Sequence, residues 1–295
     1  MLDNGTYLYE KMIQDSWRLG SGHSALSVYS IGRSVLGREL ILLRCGCGPR
    51  HIGINAAFHA NEWITSALLM RFVAELAEEY KREGGESEGL MREFCQTTTL
   101  WAVPMVNPDG AELVQRGLDS VHPLWRDKLL AWNEGRNDFS AWKANIRGVD
   151  LNDQFPAYWE EECKRRGVAG PSPRDYPGPF PLSEPEAVSM ERLTESLRFD
   201  AVVALHTQGR EIYWNYRDYE PPHAEKLAEK LGYASGYKPI KLSGSDAGYK
   251  DWFISQYRKP GFTVEVGLGE NPLPAETFDG LYTELKPLLL EAMLL

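Results

Sequence analysis

A short apolar run that begins at Ile52 continues to Phe58 and ends in the sequence His59-Ala60-Asn61-Glu62. An apolar stripe at helical spacing follows from Ser66 to Glu79, so the segment predicts a strand, a turn and a helix. Such a turn can aim the imidazole of His59 and the carboxylate of Glu62 at one metal ion. Because this pair also arises by chance, the rest of the chain must supply a third ligand and a base.

Strand-like and helix-like segments alternate along the chain, which is typical of an α/β sheet covered by helices on both faces. The 295 residues and 43% hydrophobic content are enough for one large core, and we interpret residues 1–295 as a single α/β domain. The patterns predict a hairpin, three helices and a turn: strands Leu26 to Ile31 and Glu39 to Cys45, helices near Tyr7 to Leu19, Pro222 to Leu231 and from Thr283, and a turn at Asn107-Pro108-Asp109-Gly110.

Residues 111–185 form a less regular stretch that is rich in Trp, Asn, Gly and Pro. In a compact domain, a long irregular segment is more often a pocket wall than a linker, so we expect this region to form the pocket. At its end, Ser183-Glu184-Pro185-Glu186 has the pattern of a capping box, which predicts a helix from here to about Leu197.

The net charge of −10 at pH 7 argues against nucleic acid or an anionic membrane as the main partner, since both attract basic surfaces. It is compatible with a cationic or zwitterionic substrate. The sequence shows no secretory signal pattern, and the apolar stretch from Pro287 to Leu295 is too short to span a bilayer. We therefore expect a cytoplasmic protein.

Two further strand ends carry candidate functional groups. The apolar run Ala201 to Leu205 ends on His206, and the run Gly261 to Val266 contains Glu265. Ligands collect beyond the carboxyl ends of strands in α/β sheets, so His206 is the natural third ligand beside His59. Glu265 is the candidate base, although a glutamate on a solvated strand face would have the same pattern. The other histidines lie in weaker contexts.

These residues resemble the zinc carboxypeptidase family of metallopeptidases. The motifs that carry the resemblance are His59 to Thr65, Asn107 to Gly110, Gly148-Val149-Asp150-Leu151-Asn152, His206, and Phe262 to Glu265. The resemblance implies a central mixed, twisted β-sheet flanked by helices, and one zinc ion held by His59, Glu62 and His206. It also implies that Glu265 takes a proton from water and returns it to the leaving amine.

The chain departs from the family pattern at the residues that bind substrate. Members carry Asn-Arg where this chain has Asn152-Asp153, and the missing arginine is the one that grips a C-terminal carboxylate. Lys143 stands where the family has an arginine that stabilises the oxyanion, with Arg116 and Arg147 as alternatives. Ser243 occupies the position of the usual pocket tyrosine, and Tyr249 is a candidate replacement.

A narrower resemblance is to bacterial γ-D-glutamyl-L-diamino acid endopeptidases, which cut the γ-D-glutamyl bond to meso-diaminopimelate or lysine in cell-wall peptides. It is carried by Trp142 to Asn145, Gly148 to Ala157, Tyr176 to Glu186 and Glu265 to Pro274. We hypothesise that Asp153 binds a substrate ammonium and that Arg210 or Arg147 binds a substrate carboxylate. A role in peptide recycling or sporulation would fit. The alternatives are a carboxypeptidase or deglutamylase acting on peptide C-termini, and an inactive peptide-binding homologue.

Overall fold

A computed structural model describes residue 2, residues 5–81 and residues 97–295. Within these residues the chain forms one eight-stranded sheet with helices against both faces. The strands are β1 Leu26–Arg33, β2 Glu39–Cys45, β3 Arg50–Ala56, β4 Thr98–Val103, β5 Ala201–His206, β6 Glu211–Tyr213, β7 Lys238–Ile240 and β8 Gly261–Glu265. The helices are α1 Tyr9–Gly22, α2 Ile64–Lys81, α3 Pro108–Arg116, α4 Pro123–Trp132, α5 Trp159–Arg166, α6 Pro185–Leu197, α7 Ala224–Ser235, α8 Tyr249–Tyr257 and α9 Phe278–Ala292.

The sheet is mixed, and its strand order is β1-β2-β4-β3-β5-β8-β6-β7. Strands β4, β3, β5 and β8 are parallel, whereas β1 and β2 form the predicted antiparallel hairpin and β6 runs antiparallel to β8. The carboxyl ends of β3, β5 and β8 therefore meet at one edge of the sheet. The predicted α/β fold with a central mixed sheet is confirmed.

Alternate residues of β5 pack on opposite faces of the sheet, as the two-residue period of a strand requires. Val203 and Leu205 join the core that contains α2, α7 and α9. Val202 and Ala204 join a second core with α6 and α8. Burial on both faces explains why the run Ala201 to Leu205 is apolar without alternation.

Two local motifs were predicted wrongly, and both lie where a helix begins. Asn107 is the N-cap of α3 and accepts the Gly110 N–H at 3.0 Å, so this motif starts a helix rather than closing a turn. The helix after Ser183 exists, but Pro185 is its first residue and Glu184 its N-cap. Ser183 therefore lies outside the cap position, and its hydroxyl donates to Gln154 Oε1 at 3.2 Å.

Element boundaries differ by a few residues from those predicted. The C-terminal helix begins at Phe278 rather than near Thr283, because the side chains of Phe278, Leu281 and Tyr282 are buried against the sheet. The irregular stretch 111–185 contains the end of α3, the whole of α4 and α5, and two short 3₁₀ turns, and its other residues are mostly loop. No helix within residues 5–81 or 97–295 combines the length and the apolarity that crossing a bilayer requires.

Candidate metal centre and active site

His59 is the N-cap, and Glu62 the last residue, of a single turn of 3₁₀ helix, Ala60–Glu62, that follows β3. Thr65 holds this turn, because its hydroxyl donates to the Glu62 carbonyl at 2.7 Å and accepts the Ala57 N–H at 3.0 Å. As a result His59 Nδ1 lies 2.8 Å from Glu62 Oε1. The three-residue spacing thus brings the two side chains together, as expected.

His206 is the last residue of β5 and joins this pair from the neighbouring strand. Its Nδ1 lies 2.9 Å from Glu62 Oε2 and 3.1 Å from His59 Nδ1. The ring of Phe58 stacks on the imidazole of His206, with 6.1 Å between centroids and 12° between planes. All three polar side chains are buried.

The donor set fits a zinc ion. The candidate ligand atoms of His59, Glu62 and His206 lie within 4.8 Å of one another. Zinc bonds of about 2.0–2.1 Å give tetrahedral edges of about 3.3 Å, close to the separations between these atoms. Burial alone would raise the pKa of Glu62, but the two imidazoles outweigh it and lower that pKa to about 2. A buried carboxylate that stays ionised between two imidazoles is a typical zinc ligand set.

Asp150 links this centre to a partly buried lysine. Its Oδ1 lies 3.3 Å from His59 Nε2, and its Oδ2 lies 2.8 Å from Lys143 Nζ. Burial disfavours the charged form of both Asp150 and Lys143, yet their attraction lowers the pKa of Asp150 and raises that of Lys143. The carboxylate can orient the His59 ring from the side opposite Nδ1, as partners of metal-binding histidines commonly do.

Glu265 ends β8 and pairs in register with His206 on β5. Burial raises the pKa of Glu265 to about 8, and the carboxylates of Glu62 and Glu211 add to the effect, although His206 and Lys143 oppose it. A carboxyl group at the end of a strand beside the candidate metal ligand His206 is placed to exchange a proton with a water molecule. The position and chemistry of Glu265 therefore suit a general base.

Most of the residues predicted to bind substrate contact other side chains or the backbone of the protein. Asn152 Oδ1 accepts the Tyr249 N–H at 3.1 Å, and Asp153 is buried in an ion pair with Arg166. The three candidate arginines each face a glutamate: Arg116 lies 3.4 Å from Glu112, Arg147 lies 3.6 Å from Glu184, and Arg210 pairs with Glu284.

Tyr249 is fully buried, and its hydroxyl lies 2.9 Å from the Thr194 hydroxyl. The substrate-binding roles of Tyr249 and of the residues above stay predictions.

Three charged residues of this network had no predicted role. Asp150 belongs to a motif that was recognised, but no role was given to its carboxylate. Asp175 lies 3.7 Å from Lys143 and 2.9 Å from Arg166, which joins it to Asp153. No local pattern marks Asp175, which lies in an irregular loop, or the pairing of Arg166 with Asp153 across 13 residues.

Comparison with known proteins agrees with this geometry. The zinc carboxypeptidase family model matches residues 18–286. The chain is 45% identical over 289 residues to gamma-D-glutamyl-L-diamino acid endopeptidase 1 of Lysinibacillus sphaericus, covering 98% of this chain and 72% of that protein. Bovine thrombin-activatable fibrinolysis inhibitor, solved with a tick carboxypeptidase inhibitor, aligns with a TM-score of 0.76 at 19% identity, covering 98% of this chain and 96% of that one.

A second solved structure, the murein-tripeptide amidase MpaA of Escherichia coli O157, aligns with a TM-score of 0.55 at 22% identity, covering 90% of this chain and 92% of that one. At such identities these two structures support the fold alone. The family match covers most of the chain and includes every residue of the candidate metal centre. This chain belongs to the zinc carboxypeptidase family of metallopeptidases.

Proposed function

We propose that the chain hydrolyses the γ-D-glutamyl bond to meso-diaminopimelate or L-lysine in peptidoglycan-derived peptides. The observation that carries the substrate class is the 45% identity, over 98% of the chain, to an enzyme named for that reaction. The absence of an arginine at Asp153 agrees with it, since an endopeptidase need not grip a C-terminal carboxylate through that position.

The chemistry follows from the residues at the strand ends. His59 Nδ1, the Glu62 carboxylate and His206 Nδ1 would hold one zinc ion, which when bound supplies a Lewis acid and lowers the pKa of water. Glu265 takes a proton from the attacking water and delivers it to the diamino acid nitrogen as the C–N bond breaks. The products are a γ-D-glutamyl carboxylate and a free amine.

Lys143 supplies positive charge beside this reaction. Its ammonium is 2.8 Å from Asp150 Oδ2, which restricts where the flexible side chain can lie. From this position it would stabilise the negative charge that develops on the carbonyl oxygen, as a point donor rather than a planar fork. The roles of Glu265 and Lys143 are part of the proposal.

We place this activity in the cytoplasm, on released peptides in recycling or sporulation. The net charge of −10 supports soluble peptides as substrates, because it disfavours binding to anionic polymers. Cell fractionation tests the location, and recovery of the protein outside the cytoplasmic fraction would overturn it.

The decisive experiment is digestion of L-Ala-γ-D-Glu-meso-diaminopimelate with identification of products by mass. We expect L-Ala-D-Glu and free diaminopimelate, loss of activity on chelation, and recovery with zinc. The matched control is the tripeptide with an ordinary α-L-glutamyl bond. Cleavage of ordinary C-terminal residues but not of the γ-D-glutamyl bond would instead support a carboxypeptidase or deglutamylase. Hydrolysis that survives complete metal removal would contradict the zinc mechanism, and binding without hydrolysis would indicate an inactive homologue.

A further inference from the structure

Three carboxylates attract the ammonium of Lys143. Asp150 Oδ2 lies 2.8 Å from Lys143 Nζ, and Asp175 Oδ1 lies 3.7 Å from it. The charge of Asp153 also reaches this group. Burial lowers the pKa of Lys143, but Asp150 and Asp153 raise it to a net increase, with Arg166 opposing them. One ammonium cannot balance three carboxylates, so its position depends on what binds the other two.

Backbone hydrogen bonds place Asp175 beside both Lys143 and Asp150. The Lys143 N–H donates to the Pro173 carbonyl at 2.8 Å, and the Asp150 N–H donates to the Tyr176 carbonyl at 2.8 Å. Asp175 lies between these two acceptor residues in the chain. The loop that carries Asp175 is therefore fixed against the lysine and its nearest carboxylate.

The side chain of Lys143 has more freedom than its backbone. The Ala60 N–H donates to the Lys143 carbonyl at 2.9 Å, which ties the lysine backbone to the turn that carries candidate metal ligands. The side chain, however, is a flexible four-carbon stem that ends in a compact charge. Its ionic contacts, rather than its shape, therefore decide where the ammonium lies.

Arg166 binds two of the three carboxylates. It is the last residue of α5, and its side chain is 20% exposed. Its Nη1 lies 2.9 Å from Asp175 Oδ1, and its Nε lies 2.7 Å from Asp153 Oδ2 and 2.9 Å from Glu162 Oε1. Arg174 also lies 3.2 Å from Asp175, but its side chain is 64% exposed, so solvent weakens that pair. Arg166 is thus the main cation that holds Asp153 and Asp175.

This arrangement leaves the ammonium with N–H groups for a substrate. At 3.7 Å, Asp175 lies beyond hydrogen-bond distance of Lys143 Nζ, and Arg166 holds it there. Asp150 is close enough to accept one of the three N–H groups of the ammonium. The others can then donate to an oxygen on which negative charge develops.

We propose that Arg166 is a positioning residue for the Lys143 ammonium. By binding Asp153 and Asp175, it keeps these carboxylates from drawing the ammonium away from Asp150 and from the carbonyl oxygen of the substrate. This inference rests on the proposed function, in which Lys143 stabilises the charge on that oxygen. It deepens that function by naming a residue that acts through Lys143.

The test measures kcat and KM for L-Ala-γ-D-Glu-meso-diaminopimelate with enzymes of equal zinc content. Arg166→Met should lower kcat by about 10- to 100-fold, the cost of misplacing a reacting group by about 1 Å, and should leave KM within about threefold. In Lys143→Met enzyme the same substitution should change kcat by less than about threefold, because no ammonium remains to be displaced. Arg166→Lys keeps the cation and should recover part of kcat.

Further variants separate positioning from a general loss of structure. Arg166→Met/Asp175→Asn removes another charged group, yet its kcat should exceed that of Arg166→Met, because a neutral amide no longer attracts the ammonium. Arg165→Met is the matched control, since Arg165 precedes Arg166 on α5 and pairs with Glu162. It should keep kcat within about threefold of wild type. If Arg166→Met folds poorly, Arg166→Met/Asp153→Asn avoids an unpaired buried carboxylate and should show the same fall in kcat, because Asp175 is still released.

The inference is overturned if Arg166→Met keeps the wild-type kcat, or if its loss is as large in Lys143→Met enzyme as in wild type. A further loss on adding Asp175→Asn would also overturn it, since a structural role alone predicts that result. The proposed function fails instead if wild-type enzyme does not cleave the tripeptide, or if Lys143→Met keeps the wild-type kcat. Those two results are distinct, because they are seen without any change at Arg166.

Discussion

The carboxylate of Asp153 and the guanidinium of Arg166 form a two-point ion pair, with 2.7 Å between Nε and Oδ2 and 2.9 Å between Nη2 and Oδ1. Asp153 is 2% exposed. Burial raises its pKa to about 7 with a further contribution from Asp150, although Lys143 and Arg166 oppose the shift. The residue that replaces the expected arginine is thus already bound by another arginine, which α5 supplies from a different part of the chain.

Asp153→Ala should lower the free energy of unfolding by about 1–3 kcal/mol, because Arg166 loses two charge-assisted hydrogen bonds but keeps Asp175 and Glu162. Denaturant titration measures this loss. The same variant tests whether Asp153 binds the substrate ammonium. Under that hypothesis its preference for diaminopimelyl over neutral acceptors falls, and an unchanged preference rejects the hypothesis.

Glu265→Gln should lower kcat/KM by about 10²- to 10⁴-fold, because the amide has the shape of the carboxyl group but cannot accept the proton of water. Zinc content should not change, since Glu265 is not one of the three clustered ligands. Metal analysis alongside kinetics checks both parts. His206→Ala is the control that should lose metal and activity together, and a Glu265→Gln enzyme within tenfold of wild type would refute the base assignment.

Lys143→Met should reduce kcat by about 10²- to 10³-fold, with a smaller effect on KM, if the ammonium stabilises the transition state. The variant also leaves Asp150 without its cation, so metal affinity must be measured in parallel. Lys143→Arg preserves the charge and should recover part of the rate. Equal losses in the Met and Arg variants at full zinc occupancy would argue against an electrostatic role.

Tyr249→Phe separates a core role from a substrate-binding role. The hydroxyl is buried beside Thr194, so its removal should cost about 0.5–1.5 kcal/mol of stability and leave kcat/KM within about threefold of wild type. Thermal unfolding and steady-state kinetics measure the two effects. A large fall in kcat/KM with unchanged stability would show instead that Tyr249 contacts substrate.

Glu186 should make stability depend on pH. Burial, with Asp109 adding to it, raises the pKa of Glu186 from 4.5 to about 8. The protonated Glu186 side chain therefore contributes its full share to the free energy of unfolding at pH values below its pKa in the unfolded chain. That contribution is lost as the pH rises through its pKa in the folded protein.

Glu186→Gln is neutral at every pH and should lack this slope. The free energy of unfolding of the variant, relative to that of wild type, should rise by on the order of a few kcal/mol between about pH 5 and about pH 9. Denaturant titrations at the two pH values measure the difference, and a constant difference would contradict the raised pKa.

Sequence patterns were most informative where a local period or spacing determines the geometry. The buried run before His206 predicts a strand that ends in the site, and the three-residue spacing of His59 and Glu62 sets a single turn. Patterns were less informative where the same motif is compatible with two local structures. Asn107-Pro108-Asp109-Gly110 suits a turn and a helix start equally well, and only the chain that follows it decides between them.

The sequence by itself indicated the candidate metal ligands, the candidate base and the family, because these residues lie in ordered motifs at strand ends or directly after them. Only the tertiary structure decided which charges face one another. Arg166 reaches Asp153 from α5, and Asp175 reaches Lys143 from an irregular loop. Lys250 and the segment after β6 meet in one cavity. Such pairings depend on how separate helices and loops pack against one another, and no periodicity of a single segment encodes them.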